Sequence, residues 1–127
     1  MRTIEKYTIE GAEDWMEWSG VRLADVANED DDQAMRLGAV GFLSAPAGAR
    51  SEFDFPYDEV LVVTKGRCTV TTDTGDEVSV AASEAVYLPA GRPGRFRADT
   101  DLELVYIASS PYGAANREAK AELLAKR

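Results

Sequence analysis

From residue 35 to residue 108 the chain repeats one pattern, a short stretch of alternating apolar and polar residues followed by a turn sequence. Alternation with a period of two is typical of a strand that has one buried and one exposed face. The turns include Ala45-Pro46-Ala47-Gly48 and Asp73-Thr74-Gly75-Asp76. The predicted strands cover residues 35–44, 49–55, 59–65, 67–73, 77–81, 84–88, 94–98 and 102–108.

A row of short strands of this kind predicts an all-β fold, either a sandwich or a barrel, because both limit the exposed edges of a sheet. Residues 3–9 predict a further strand at the edge, and residues 21–27 predict a second strand or an edge segment. The alanine-rich end predicts a short C-terminal helix. At 127 residues the chain suits one domain. We expect an N-terminal strand arm over 1–28, a core barrel over 35–108 and a helical tail over 113–127.

Charge and cysteine content exclude several classes of function. The formal net charge of −9 argues against binding to nucleic acid or to an anionic membrane surface, since both require a basic surface. No apolar stretch is long enough to span a bilayer. Cys68 is the only cysteine, so an internal disulfide is impossible, and the absence of histidine leaves the thiol without an activating base. We therefore expect Cys68 to be a buried apolar residue of a cytoplasmic protein.

Two sequence motifs resemble those of the cupins, a superfamily of small jelly-roll barrels. The first cupin motif ends in a glutamate and a glycine seven residues later, which Glu59 and Gly66 match. The second contains Pro-x-Gly, which Pro89-Ala90-Gly91 matches. The histidines of the motifs are missing, and their positions fall on Phe53, Phe55 and Gly94. The resemblance implies a single antiparallel jelly-roll (cupin) β-barrel.

Within the cupins the chain is most similar to the ethanolamine-utilisation protein Q (EutQ-like) family, which also lacks the histidines. The similarity covers roughly residues 21–109 and includes Tyr57-Asp58-Glu59 and Val21-Arg22-Leu23-Ala24-Asp25. The resemblance implies acetate phosphotransfer with ATP and Mg²⁺ and a role in ethanolamine utilisation. Because barrels of this size commonly pair through an open sheet, we also expect a homodimer.

The missing histidines bear directly on metal binding. With Phe53, Phe55 and Gly94 at three of four ligand positions, we expect no iron, zinc, copper or nickel site. A strand register shifted by one residue would instead turn Glu52 and Asp54 inward and form a three-carboxylate site with Glu59 for a hard cation. The family resemblance favours the register with the phenylalanines inside.

Glu59 is the central candidate, because an acidic residue inside an apolar strand needs a partner or a purpose. A carboxyl beside aromatic rings has its pKa raised, which suits a general acid or base. The predicted catalytic residues are Glu59, Tyr57 and Asp58. The predicted substrate-binding residues are Phe53, Phe55, Tyr87, Arg92 and Tyr106.

The sequence thus predicts a small-molecule-binding cupin. We expect a metal-independent enzyme that acts on a small organic acid or acyl phosphate through the Glu59 and tyrosine site. Two alternatives stay open at this point. One is a non-catalytic module that binds a metabolite or a protein, and the other is a metal-free isomerase or lyase with a base and an oxyanion donor.

Overall fold

The computed structural model describes residues 3–32 and 35–125, which form ten strands and one helix. The strands are β1 Met16–Trp18, β2 Val21–Asn28, β3 Ala39–Ala45, β4 Arg50–Phe53, β5 Glu59–Lys65, β6 Arg67–Thr72, β7 Glu77–Ala81, β8 Ala85–Leu88, β9 Gly94–Ala98 and β10 Leu102–Ala108. The helix is α1 Tyr112–Ala125.

The strands form two antiparallel sheets. One sheet has six strands in the order β1-β2-β3-β10-β5-β8, and the other has four in the order β4-β9-β6-β7. The sequence-distant pairs β3–β10 and β4–β9 show that the chain does not simply meander from hairpin to hairpin. This is the jelly-roll arrangement, and the predicted all-β fold with a short C-terminal helix is confirmed.

The core lies between the inward faces of the sheets, and β10 shows how alternation builds it. Leu102, Leu104, Tyr106 and Ala108 are buried, whereas the residues between them are only partly buried. Burial of each large apolar side chain contributes about 1.5–3 kcal/mol. Gly66 alone connects β5 to β6, and it has a φ of +84°. A Cβ there would lie 2.2 Å from the carbonyl oxygen of Asp101, so only glycine fits.

Two predictions about the ends of the chain require correction. Residues 3–9 form no strand, and Ile4 is fully exposed, because the alternating segment has no neighbouring strand to pair with. The edge of the six-stranded sheet is instead β1, which pairs with β2 in a short hairpin. The segment 21–27 is thus an internal strand. The helical tail begins at Tyr112, and residues 126–127 of the predicted tail lie outside the described residues.

The strand predicted at 35–44 begins only at Ala39. Gly38 precedes it and lies against the connection to α1, where an added Cβ would be 2.3 Å from the Ser109 carbonyl oxygen. Among the described residues no helix is long and apolar enough to cross a membrane.

Candidate ligand-binding site

Alternation along residues 52–59 decides which side chains face the core. Phe53 and Phe55 are half-buried, whereas Glu52 and Asp54 are exposed. Tyr57 and Glu59 continue the inward set and are buried. The register that would have supplied Glu52 and Asp54 as ligands for a hard cation is therefore wrong.

The residues that stand at two of the missing histidine positions, Phe53 and Gly94, pack against each other. Phe53 and Gly94 are paired across β4 and β9. A Cβ placed on Gly94 would lie 2.5 Å from the Cζ atom of the Phe53 ring and 2.8 Å from the Thr71 carbonyl oxygen. The phenyl ring thus occupies the space above Gly94, and these positions offer a metal no nitrogen, oxygen or sulfur side-chain ligand.

A row of aromatic rings leads from this point into the core. Phe53 stacks on Phe55 with ring centroids 5.6 Å apart, and Phe55 stacks on Tyr57 at 4.8 Å. Tyr57 then meets the ring of Tyr112 edge-on at 5.2 Å. A cleft of about 540 Å³ lies at the outer end of the row and is lined by Phe53 and Gly94 together with polar residues. The row of rings therefore runs from the edge of this surface cleft toward the buried Tyr57 and Tyr112.

Asp25 lies at that inner end, at the centre of a hydrogen-bond network. Its Oδ1 atom accepts hydrogen bonds from the hydroxyls of Tyr106 and, at 2.7 Å, Tyr112. Its Oδ2 atom accepts one from the side-chain amide of Asn28 at 3.2 Å. The register of β2, β3 and β10 places Asp25 and Tyr106 on one face of the sheet, two strands apart. Three donors therefore stabilise a negative charge on Asp25.

Glu59 has no comparable support. It is 8% exposed, and its Oε2 atom has no hydrogen-bond partner among the described residues. Burial, and secondarily the charge of Asp25, raise the pKa of Glu59 to about 8. With this pKa, Glu59 is mostly protonated at neutral pH.

The three phenols of the site stay protonated. Burial is the main cause that raises the pKa of Tyr57, Tyr106 and Tyr112, and the nearby carboxyls act in the same direction. The hydroxyls of Tyr106 and Tyr112 donate hydrogen bonds to Asp25. They are therefore hydrogen-bond donors, not nucleophiles.

Helix α1 brings Tyr112 to the site through contacts with the loop after β2. The backbone N–H of Gly113 donates to Glu29 at 2.9 Å, which places a carboxylate at the helix N-terminus. Ser110 also donates to Glu29, and Arg117 forms an ion pair with Asp30. The acidic loop thus fixes the start of α1, and Tyr112 is buried against Asp25.

The structure brings together only part of the predicted site. Tyr57, Glu59 and Tyr106 converge, with Phe55 and Phe53 leading outward from them. Tyr87 was expected to line the pocket but is 58% exposed, because the alternation of β8 turns it to the outer face. There its hydroxyl donates to the exposed Asp58 at 3.0 Å.

Arg92 also lies apart from the site, in an ion pair with Asp73 at 3.0 Å. Sequence reasoning missed Asp25, Asn28 and Tyr112. Asp25 shares its strand face with Val21 and Leu23, so a polar residue at the end of an inward alternation was the available signal. The spacing of the sequence contains no comparable signal for Tyr112, since its position depends on where α1 docks.

The residues present do not fit a bound metal. Among residues 3–32 and 35–125 no group of three or more histidine, cysteine, aspartate or glutamate side chains is arranged to hold one. Glu59 and Asp25 are two carboxyls, fewer than a hard cation needs from a protein cage. The Mg²⁺ that the resemblance implies with ATP needs only one or two carboxylates, but the ATP phosphates also need positive side chains, and no basic side chain of the described residues acts on Glu59.

Comparison with models of protein families gives no match, and neither does comparison with curated proteins. Solved structures do match. One from Salmonella typhimurium LT2, described as an ethanolamine utilization protein Q, has a TM-score of 0.66 at 24% identity, over 75% of this chain and 77% of that chain. The EutQ protein of Clostridium difficile has a TM-score of 0.61 at 21% identity, over 70% of this chain and 61% of that one.

An RmlC-like cupin from Shewanella frigidimarina NCIMB 400 has a TM-score of 0.66 at 13% identity, over 86% of this chain and 94% of that chain. The chain therefore has the cupin fold, and it is similar to EutQ structures within that fold. At these identities the likeness concerns the fold, and fold alone does not define an activity.

Proposed function

We propose that this chain is a small-molecule-binding cupin that works without a transition metal, and that its ligand site is the cluster of Asp25, Tyr57, Glu59, Tyr106 and Tyr112. The observation that carries the proposal is the unpaired Oε2 atom of the buried Glu59. An unsatisfied buried polar atom costs about 1–3 kcal/mol. A folded protein can tolerate this destabilisation when a bound ligand supplies the missing hydrogen-bond partner.

The second candidate function is acid–base catalysis at the same residues. A carboxyl with a pKa of about 8 exchanges its proton readily near neutral pH, as general acid–base catalysis requires. Tyr57 stays protonated beside it and can donate to an oxygen of the substrate. In this version the chain is a metal-independent enzyme acting on a small organic acid, or an isomerase or lyase.

The geometry supports acetate phosphotransfer less well than it supports binding. Transfer of a phosphoryl group requires cations that neutralise the phosphates. No basic side chain among the described residues lowers the pKa of Glu59, and Arg92 is engaged by Asp73. At this site the phosphates of ATP or of an acyl phosphate would lie beside the carboxyls of Asp25 and Glu59, without a basic side chain of the described residues to neutralise them.

The test is ligand-dependent stabilisation of purified protein. A metabolite library is screened by thermal shift, and each hit is repeated on Glu59→Gln and on Glu52→Gln. Glu52 supplies a matched control, because it is an exposed carboxylate of β4 that lies outside the proposed cluster. The proposal expects hits that raise Tm in the wild type and Glu52→Gln but not in Glu59→Gln. Hits that stabilise all three proteins equally bind elsewhere and contradict it.

Two further parts of the proposal concern the whole molecule. We propose a homodimer, which size-exclusion chromatography with light scattering would reveal as about twice the 13.8 kDa chain mass. We also propose a cytoplasmic location and a place in ethanolamine utilisation, supported by the similarity to EutQ structures. Fractionation of cells and the growth of a deletion strain on ethanolamine test these two parts.

A further inference from the structure

We propose that the ligand of the Asp25–Glu59 site is a small organic ammonium ion. This inference rests on the proposed ligand site and adds the chemical class of the ligand. The unpaired Oε2 atom of Glu59 would accept an N–H of the ammonium group, and the rings of Tyr57 and Tyr112 would form walls around it.

Charge is the first argument. Glu59 is buried and Asp25 is half-buried in a chain with a formal net charge of −9. Among the described residues, the ion pairs engage other acidic side chains, and none involves Asp25 or Glu59. The half-buried Asp25 and the buried Glu59 lie together with no basic side chain acting on Glu59 among the described residues, so this site favours a cation over an anion.

The aromatic walls are the second argument. Tyr57 and Tyr112 meet edge-on, and Phe55 stacks on Tyr57. The electron-rich faces of tyrosine rings attract organic cations by about 0.5–2 kcal/mol each, more strongly when water is excluded. A buried acid beside several rings is the arrangement that recognises ammonium groups.

Metal ions suit the same site poorly. The two carboxyls fall short of a cation cage, and phenyl walls offer a hydrated metal nothing to replace its water. An alkylammonium ion, by contrast, presents N–H donors at one end and apolar surface at the other. The carboxyl of Glu59 can accept hydrogen bonds from the N–H donors, and the ring of Phe55 can contact the apolar surface.

Proton release follows from binding. The titratable groups that act on Glu59 are Asp25 from β2, Tyr57 from the β4–β5 connection and Tyr112 from α1, and Tyr106 from β10 contacts Asp25. The phenols stay protonated, so Glu59 is the group that changes state. An ammonium ion favours its carboxylate form, and we therefore expect about one proton to be released per ligand near pH 7.

The experiment compares three molecules of similar size on the full chain. Isothermal titration with n-propylammonium chloride, 1-propanol and sodium propionate is run at pH 7 in one potassium chloride concentration, in two buffers of different ionisation enthalpy. The expected result is saturable binding of n-propylammonium with buffer-dependent heat, and no binding of the other two. In Glu59→Gln the affinity should fall at least tenfold and the buffer dependence should vanish, whereas Glu52→Gln should behave like the wild type.

The outcomes separate the two proposals. If propionate or 1-propanol binds in a Glu59-dependent manner and n-propylammonium does not, the ammonium inference is overturned and the proposed ligand site stands. If n-propylammonium binds equally to wild type and Glu59→Gln, the cation lies elsewhere and the inference fails. If no probe binds, and no compound of the thermal-shift screen shows Glu59 dependence, both proposals are wrong. Circular dichroism of Glu59→Gln establishes that the variant is folded.

Discussion

The ring of Tyr106 fills the space that a side chain at Gly41 would occupy. A Cβ placed on Gly41 would lie 2.1 Å from the Tyr106 hydroxyl oxygen and equally close to its Cζ atom. Gly41 is the residue of β3 that pairs with both Asp25 of β2 and Tyr106 of β10. The missing side chain is therefore what allows the phenol of β10 to cross β3 and reach Asp25.

This relationship predicts the effect of Gly41→Ala. The added methyl group forces the Tyr106 ring aside and breaks its hydrogen bond to Asp25. Overpacking costs about 1–3 kcal/mol, and loss of a hydrogen bond to a charged group adds a comparable amount. We expect the free energy of unfolding, measured with urea, to fall by about 3 kcal/mol.

Tyr106→Phe is the comparison for Gly41→Ala, since it removes the hydroxyl and keeps the ring. It should cost about 2 kcal/mol, because Tyr112 and Asn28 still donate to Asp25. In the double variant the cost should be less than the sum of the two, as both changes break the same bond. Strict additivity would show that Gly41 does not serve the Tyr106–Asp25 contact.

Local patterns predicted the fold well and the site only in part. Period-two alternation gave β5, β7, β9 and β10 with their observed bounds, because each strand has one face in the core. Alternation alone allowed two registers at residues 52–55, and the family resemblance favoured the one that turns Phe53 and Phe55 inward, as observed. The same rule misplaced residues 3–9, since a pattern says which face would be buried but not whether a neighbouring strand exists.

Contacts between distant segments explain the parts of the site that the sequence did not reveal. Asp25 and Tyr112 are 87 residues apart, and they meet because the loop after β2 holds the start of α1. Tyr87 was misassigned for a related reason. Its strand lies at the edge of the six-stranded sheet, where outward tyrosines are tolerated and here bind Asp58.

Glu59 makes the stability of the protein depend on pH. Below about pH 4.5 Glu59 is protonated in both the folded and the unfolded chain, so it does not change the free energy of unfolding with pH. Between about pH 4.5 and 8 the unfolded chain loses this proton and the folded chain keeps it. The free energy of unfolding therefore falls by about 1.4 kcal/mol per pH unit. The contribution is constant again above pH 8, after a loss of roughly 4–5 kcal/mol.

The check is a pair of curves of unfolding free energy against pH, one for the wild type and one for Glu59→Gln. The variant lacks the ionisable group, so its curve should decline less across this window, and it should be the more stable protein at pH 9. Glu52→Gln should follow the wild type, since Glu52 is exposed in both states. Parallel curves for wild type and Glu59→Gln would show that Glu59 has an ordinary pKa.

Purified protein should contain no stoichiometric iron, zinc, copper or nickel. The reason is the packing of Phe53 on Gly94 at positions where a metal-binding cupin has histidines. Elemental analysis by mass spectrometry, after expression in medium supplemented with these metals, provides the measurement. A content of any of these metals near one per chain would contradict this explanation.

Cys68 should be unreactive in the native protein. The residue is fully buried on β6, and burial together with the charge of Asp99 raises the pKa of its thiol to about 11. Since the thiolate is the reactive form, labelling with a disulfide reagent should require unfolding. Rapid labelling in buffer, at a rate unaffected by urea, would place the thiol at the surface.

The hydroxyl of Tyr112 should hold helix α1 against the sheets. Tyr112 is 6% exposed and donates to Asp25, whereas the other polar contacts at the start of α1 are a part-buried hydrogen bond of Gly113, an exposed one of Ser110 and an exposed ion pair of Arg117. Surface ion pairs contribute little, so the buried bond carries much of the docking energy. Tyr112→Phe should lower the free energy of unfolding by about 1–2 kcal/mol and speed amide hydrogen exchange in α1 more than in β10.

Tyr87→Phe is the matched control, because Tyr87 also donates to an aspartate but is 58% exposed. It should leave both quantities nearly unchanged. Equal effects of the two substitutions would show that the bond to Asp25 has no special part in docking α1.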